Sequence, residues 1–193
     1  MTNKQNNIQK KLSNWFAAPV RVVVAGIGNP IRMDDFVGVK IVRDLQGKVS
    51  SSTDLIECET VPESYLQDIV ELKPSHVLIV DAAVLGLKPG DIRLISPEQI
   101  ADFSPITTHF LPLRIFCEYI TETTAAKIGM LLVQPGNVEF GEGLTPEVSA
   151  ASEKLTQILA KILGPGTFPA KNCQETESKN VGWKVRGEMG DKT

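Results

Sequence analysis

The sequence predicts a three-layer α/β/α sandwich around a mostly parallel, twisted sheet of about five strands. Three observations lead there. Short apolar runs such as Val20–Ala25 and Val77–Val80 are too short for helices and read as buried strands. Those runs alternate with stretches whose apolar residues recur at helical spacing. The first run leads through Gly26-Ile27-Gly28-Asn29-Pro30 into a helix opened by two acids, Asp34 and Asp35, which is how an α/β domain begins.

In chain order, residues 1–19 form an N-terminal extension in which Ile8, Leu12, Trp15 and Phe16 mark a short amphipathic helix that docks on the core. The α/β domain is expected over 20–163. After the first strand, Val37, Ile41 and Leu45 stripe a helix from about Asp35. In it Gly38 permits close packing on the sheet, and Gly47 is placed to end it. Asp34 reads as the cap of this helix, favourable with its dipole. Asp54–Cys58 is a second strand, followed by a helix near Glu63. Val77–Ala83 is a third strand, with Asp81 at its carboxyl end. Asp91–Ile95 alternates and belongs near a sheet edge. A helix holding Leu113, Phe116, Tyr119 and Ile120 follows, then a strand Ile128–Val133. Thr145-Pro146-Glu147 opens a helix with Val148, Ala151, Leu155, Ile158, Leu159 and Ile162 as its buried face. Beyond Gly164-Pro165-Gly166, residues 164–193 are polar and aperiodic and read as a disordered tail.

Composition excludes several function classes. The chain has 193 residues, 42% apolar and 22% charged, with a net charge of −3, as in a soluble globular domain. That charge gives no pull toward nucleic acid or an anionic membrane. Cys58, Cys117 and Cys173 have no C-x-x-C spacing, which excludes a cysteine-rich zinc site and fits a reducing cytosol. No apolar run reaches the roughly 20 residues that span a bilayer. No signal-peptide stretch is seen at the N-terminus. The protein is expected to be cytoplasmic and monomeric.

Two acids and one histidine stand out. Open α/β sheets keep their sites at the carboxyl edge of the strands, where Asp35 and Asp81 fall. Asp81 is not needed for packing and is costly to bury unless paired or metal-bound. His109 lies in a loop able to return to that edge, whereas His76 sits at the amino edge as a solvated strand start. Two carboxylates and an imidazole suit a borderline divalent ion such as Ni, Zn, Mn or Fe(II), with open positions and modest affinity. The Gly26-Ile27-Gly28 run fails as a dinucleotide fingerprint. Its third position is Ile31, Pro30 lacks an N–H, and the acids repel phosphate. No G-x-S-x-G elbow is present, and no Ser or Cys nucleophile is expected.

Gly26-Ile27-Gly28-Asn29-Pro30, Asp34-Asp35-Phe36-Val37-Gly38, Leu78-Ile79-Val80-Asp81-Ala82 and Thr107-Thr108-His109 together resemble the hydrogenase maturation endopeptidases of the HycI type. The resemblance runs from about Arg21 to Leu163. It implies a phosphorylase/hydrolase-like fold and removal of a C-terminal peptide from a [NiFe]-hydrogenase large-subunit precursor after nickel insertion. It also implies Asp35, Asp81 and His109 as the catalytic, nickel-contacting residues, the nickel arriving with the substrate. Gly28, Asn29 and Glu59 are the substrate-loop candidates. Glu59 stands where many members carry an Asp-Gly-Gly-Ser/Thr loop, and this chain lacks those glycines. Two rivals remain open: a non-cutting, metal-checking chaperone of the precursor, and a peptidyl-tRNA-hydrolase-like esterase. The esterase shares Gly-Ile-Gly-Asn-Pro but needs a basic face for tRNA.

Overall fold

The computed structural model describes residues 3–18, 21–100 and 110–167. Helix α1 (Asn3–Trp15) precedes strand β1 (Val22–Ile27). A 3-10 turn (Met33–Phe36) leads into α2 (Val37–Leu45), β2 (Thr53–Glu59), α3 (Leu66–Glu71) and β3 (His76–Ala82). They are followed by β4 (Ile92–Ile95), α4 (Phe110–Thr124), β5 (Lys127–Val133) and α5 (Pro146–Leu163). The strands form one sheet among the described residues, in the order β2-β1-β3-β5-β4, with β4 alone antiparallel. The expected sandwich is the observed fold. His109 and the stretch from residue 168 onward, with Cys173 and most of the expected tail, lie outside the described residues.

Every residue of β1 and β3 is buried, because both faces of the sheet are covered. Side chains alternate between the two layers. Val22, Val24, Leu78, Val80, Leu131 and Val133 meet α1, α2 and α5. Val23, Ala25, Val77, Ile79, Met130 and Leu132 meet the apolar faces of α3 and α4. Helix α1 docks through Ile8, Leu12 and Phe16, all buried.

Three expectations change at element boundaries. Strand β1 continues through Gly26 to Ile27, so the turn begins two residues later than the glycines suggest. Gly26 pairs within the sheet, and its missing side chain leaves room for the Gly38 carbonyl. The helix expected from Asp35 starts as the tighter 3-10 turn and becomes α-helical only at Val37. His76 is not solvated: it is buried, with its Nδ1 3.0 Å from Ser75 Oγ and its ring 5.1 Å from that of Trp15. Docking of α1 covers it, which no local pattern could announce. Burial, helped by the Lys127 charge, holds its pKa below the usual value.

The strand order reverses between β1 and β3: the chain moves from β1 outward to β2, then crosses back to β3 on the other side. Such a switch point opens a crevice at the carboxyl edge. Helix α2 covers it closely, since a Cβ on Gly38 would run into the carbonyl oxygens of Ile27 and Val80. Both collisions are with backbone, so Gly38→Ala should destabilise by about 2–4 kcal/mol in urea unfolding. Gly47→Ala, at positive φ but with nothing within 4 Å, should cost about 1 kcal/mol.

Candidate active site at the strand switch point

The site is built where β1 and β3 end. Gly28 takes φ +146°, and a side chain there would strike the Asp35 carbonyl, so glycine lets the turn fold back on the segment that follows. The Gly28 N–H donates to the Glu59 carbonyl at 2.8 Å, and Glu59 itself sits at φ +49° beside a register shift between β1 and β2. The Asn29 N–H donates to Asp35 Oδ2 at 3.0 Å, while Asn29 Oδ1 accepts from Ile31 N–H at 3.1 Å. Gly28 and Asn29 therefore orient Asp35, and Glu59 contributes its backbone while its side chain is exposed.

Asp81 closes β3 and is 2% exposed. Its Oδ1 accepts the Ala82 N–H at 2.8 Å, and its buried Oδ2 has no partner among the described residues. Burial, then the nearby charge of Asp35, push its carboxyl up to about 8 against the Ala82 hydrogen bond. Asp35 and Asp81 are thus two carboxyls close enough that the charge of one disfavours ionisation of the other. His109 lies outside the described residues. Among those described, no three His, Cys, Asp or Glu side chains are grouped to hold a metal ion.

Asp34 does not cap the helix. It is fully buried, with no capping bond at this helix start. Its Oδ2 accepts from Gly136 N–H at 2.8 Å, Asn137 N–H at 2.9 Å and the Thr145 hydroxyl at 2.9 Å. Its Oδ1 accepts from Thr145 N–H at 2.7 Å. The reason is geometric: a 3-10 turn rotates successive side chains by about 120°, so adjacent acids face different neighbours. Asp34 fastens the β5–α5 loop to the β1 edge, and the Asp34 N–H returns a bond to the Asn137 carbonyl.

Residues 39–162 match the family described as HycI, hydrogenase maturation protease. The hydrogenase 3 maturation protease of Escherichia coli is 33% identical over 153 residues, 79% of this chain and 97% of that protein. The crystal structure of a [NiFe] hydrogenase maturation protease HycI from Thermococcus kodakarensis aligns with a TM-score of 0.74 at 33% identity, covering 79% of this chain and 98% of that one. The hydrogenase maturating endopeptidase HybD from E. coli aligns with a TM-score of 0.63 at 28% identity, covering 74% and 91%. The chain belongs to the hydrogenase maturation protease family.

This protease is accordingly an endopeptidase, and the esterase and non-cutting chaperone readings are set aside. Its described cysteines do not supply a nucleophile: Cys58 and Cys117 are buried, and burial pushes both thiols up to about 12. A cleft of about 630 Å³ runs along β4 between α1 and α5, and neither acid lines it. Sequence reasoning missed Gln134, the polar residue ending β5 much as Asp81 ends β3. Its Oε1 accepts from Leu85 N–H at 2.7 Å and Leu87 N–H at 3.2 Å, holding the loop that follows Asp81.

Asp34→Ala strands four donors and should destabilise by about 3–5 kcal/mol, against about 1 kcal/mol for Thr145→Val, in equilibrium denaturation. Asp81 binds its proton more tightly folded than unfolded, so its contribution is intact below pH about 4 and is lost as pH rises toward about 8. Asp81→Asn should therefore gain stability over the parent as pH rises, reaching a few kcal/mol at pH 8. Denaturant titrations at pH 5, 6.5 and 8 would show a widening gap; a constant gap would refute the shift.

Proposed function

We propose that this protease removes a C-terminal peptide from the nickel-loaded large-subunit precursor of a [NiFe]-hydrogenase, acting as a cytoplasmic monomer, and that Asp35, Asp81 and His109 contact the nickel the precursor carries. The observation that carries this reading is Asp81. A buried carboxyl with an orphan oxygen, facing a like charge, is at rest only with a proton or a cation. A divalent ion arriving with the substrate replaces the proton and relieves the repulsion from Asp35. Carboxylate and imidazole donors suit such an ion, and three of them leave positions for ligands that stay with the precursor.

Because Asp81 must first lose its proton, the free protein should hold nickel weakly, and recognition depends on the metal being delivered in place. Nickel supplies recognition and, where the scissile carbonyl meets it, polarisation. Asp35, fixed by the Asn29 N–H, is positioned to accept a proton from the attacking water. Water adds to the carbonyl, the C–N bond breaks, and the proton passes to the departing amine, leaving a new carboxyl terminus.

Incubation with nickel-loaded and nickel-free precursor tests this by the size shift of tail removal. Only the loaded form should be cut, and Asp35→Asn, Asp81→Asn and His109→Ala should each slow cutting by roughly 100-fold or more. Equal cutting of both forms would overturn nickel recognition. Undiminished activity in a variant would remove that residue from the site.

A further inference from the structure

Each of the four parallel strands leads into a loop on the edge that carries Asp35 and Asp81, and each loop leaves one large apolar side chain in solvent. After β1 it is Ile31, 54% exposed; after β2, Val61, 45%; after β3, Val84, 45%; after β5, Phe140, 81%. Single exposed apolar residues are ordinary, but one per strand around a site forms a face. Four adjacent strands spaced by about 4.8 Å spread that face over roughly 14 Å, wider than one extended peptide.

Phe140 is the most exposed of these residues, and its loop is the most firmly held. Asp34 grips that loop at Gly136, Asn137 and Thr145. The Met33 N–H donates to the Gly141 carbonyl, the Gly141 N–H to the Ile31 carbonyl, both at 3.0 Å, and Arg32 Nε to the Val138 carbonyl at 3.0 Å. Ile31 and Phe140 are thus brought side by side by backbone pairing. A rigid loop that turns an aromatic ring outward has already met the ordering cost of binding, which is the character of an interface anchor. Glu139 and Glu142, both exposed, flank the ring.

We infer that the Phe140 loop, with Ile31 beside it, is the anchor by which this protease docks on the folded body of its precursor, at an apolar pocket bordered by basic side chains. The inference rests on the reading that a hydrogenase precursor is the substrate. The flanking glutamates would repel an anionic membrane, and they would face one another in a pair of identical copies.

Binding of the nickel-loaded precursor to the full chain, measured calorimetrically beside cleavage kinetics, tests it. Phe140→Ala should weaken binding by roughly 10- to 100-fold, and Glu139→Lys with Glu142→Lys by roughly 5-fold or more at low salt. Ile115→Ala, exposed on α4, should change binding by less than about twofold. The Phe140→Ala defect should lie in KM and be regained toward saturation, whereas Asp35→Asn loses turnover at every concentration. Equal affinity of parent and Phe140→Ala overturns the inference. So does a Phe140-dependent dimer in sedimentation without precursor, which would give the face to a second copy. Phe140-dependent binding without cleavage leaves the docking intact and removes the proposed function instead.

Discussion

The carboxylate of Asp34 is the interaction on which the working edge depends. One buried acid, satisfied by four donors, ties the turn after β1 to the loop after β5 across the mouth of the switch point. Charge-assisted bonds of this kind are short, directional and strong where water is absent. Asp35 is the next residue in the same turn, so the direction it faces is set by where Asp34 is held. The same contacts set the attitude of the Phe140 loop. A single buried anion thereby fixes the candidate chemistry on one side and the outward aromatic on the other.

Asp81 shows the opposite balance. Nothing in the described fold satisfies its second oxygen, and the nearby charge of Asp35 makes its ionised form worse. A core built only for stability would place an apolar residue there, as at Val77–Val80 and Ala82 of the same strand. The tension is held in place by neighbours that cannot yield easily: the Gly38 contact with the Ile27 and Val80 carbonyls allows α2 no slack, and Gln134 restrains the loop beyond Asp81. Local unfavourable electrostatics surrounded by stiff packing is characteristic of sites that await a ligand.

Much of this was legible in the residues, and the exceptions share a cause. The five strands, the α5 face and the edge position of β4 follow from periodicity and turn chemistry, which are local. Asp81 stood out because a charge at the end of an apolar strand has no packing role. Asp35 stood out because it follows the first Gly turn. Asp34 was misjudged as a cap because its real donors are more than a hundred residues away, and adjacency to a helix was the nearest local explanation. Gly26 looked like the turn because its missing side chain could equally serve a bend or a close approach, and only the position of α2 decides which. His76 looked solvated until α1 covered it. The strand order, and with it the switch point between β1 and β3, is a tertiary fact to which no single stretch testifies.

The span of the Asp34 contacts has a consequence for how the molecule comes into being. Its donors lie 102 to 111 residues further along the chain. Contacts of such separation form late, because a long loop must close before they are rewarded. During synthesis from the N-terminus, β1, β2 and β3 can assemble while the segment that fastens the turn has not yet emerged. Asp34 therefore lacks its donors until β5 and the start of α5 are in place. A nascent or truncated chain of this protease that stops short of Thr145 carries Asp34 without the full set of contacts that fasten the turn after β1 to the β5–α5 loop.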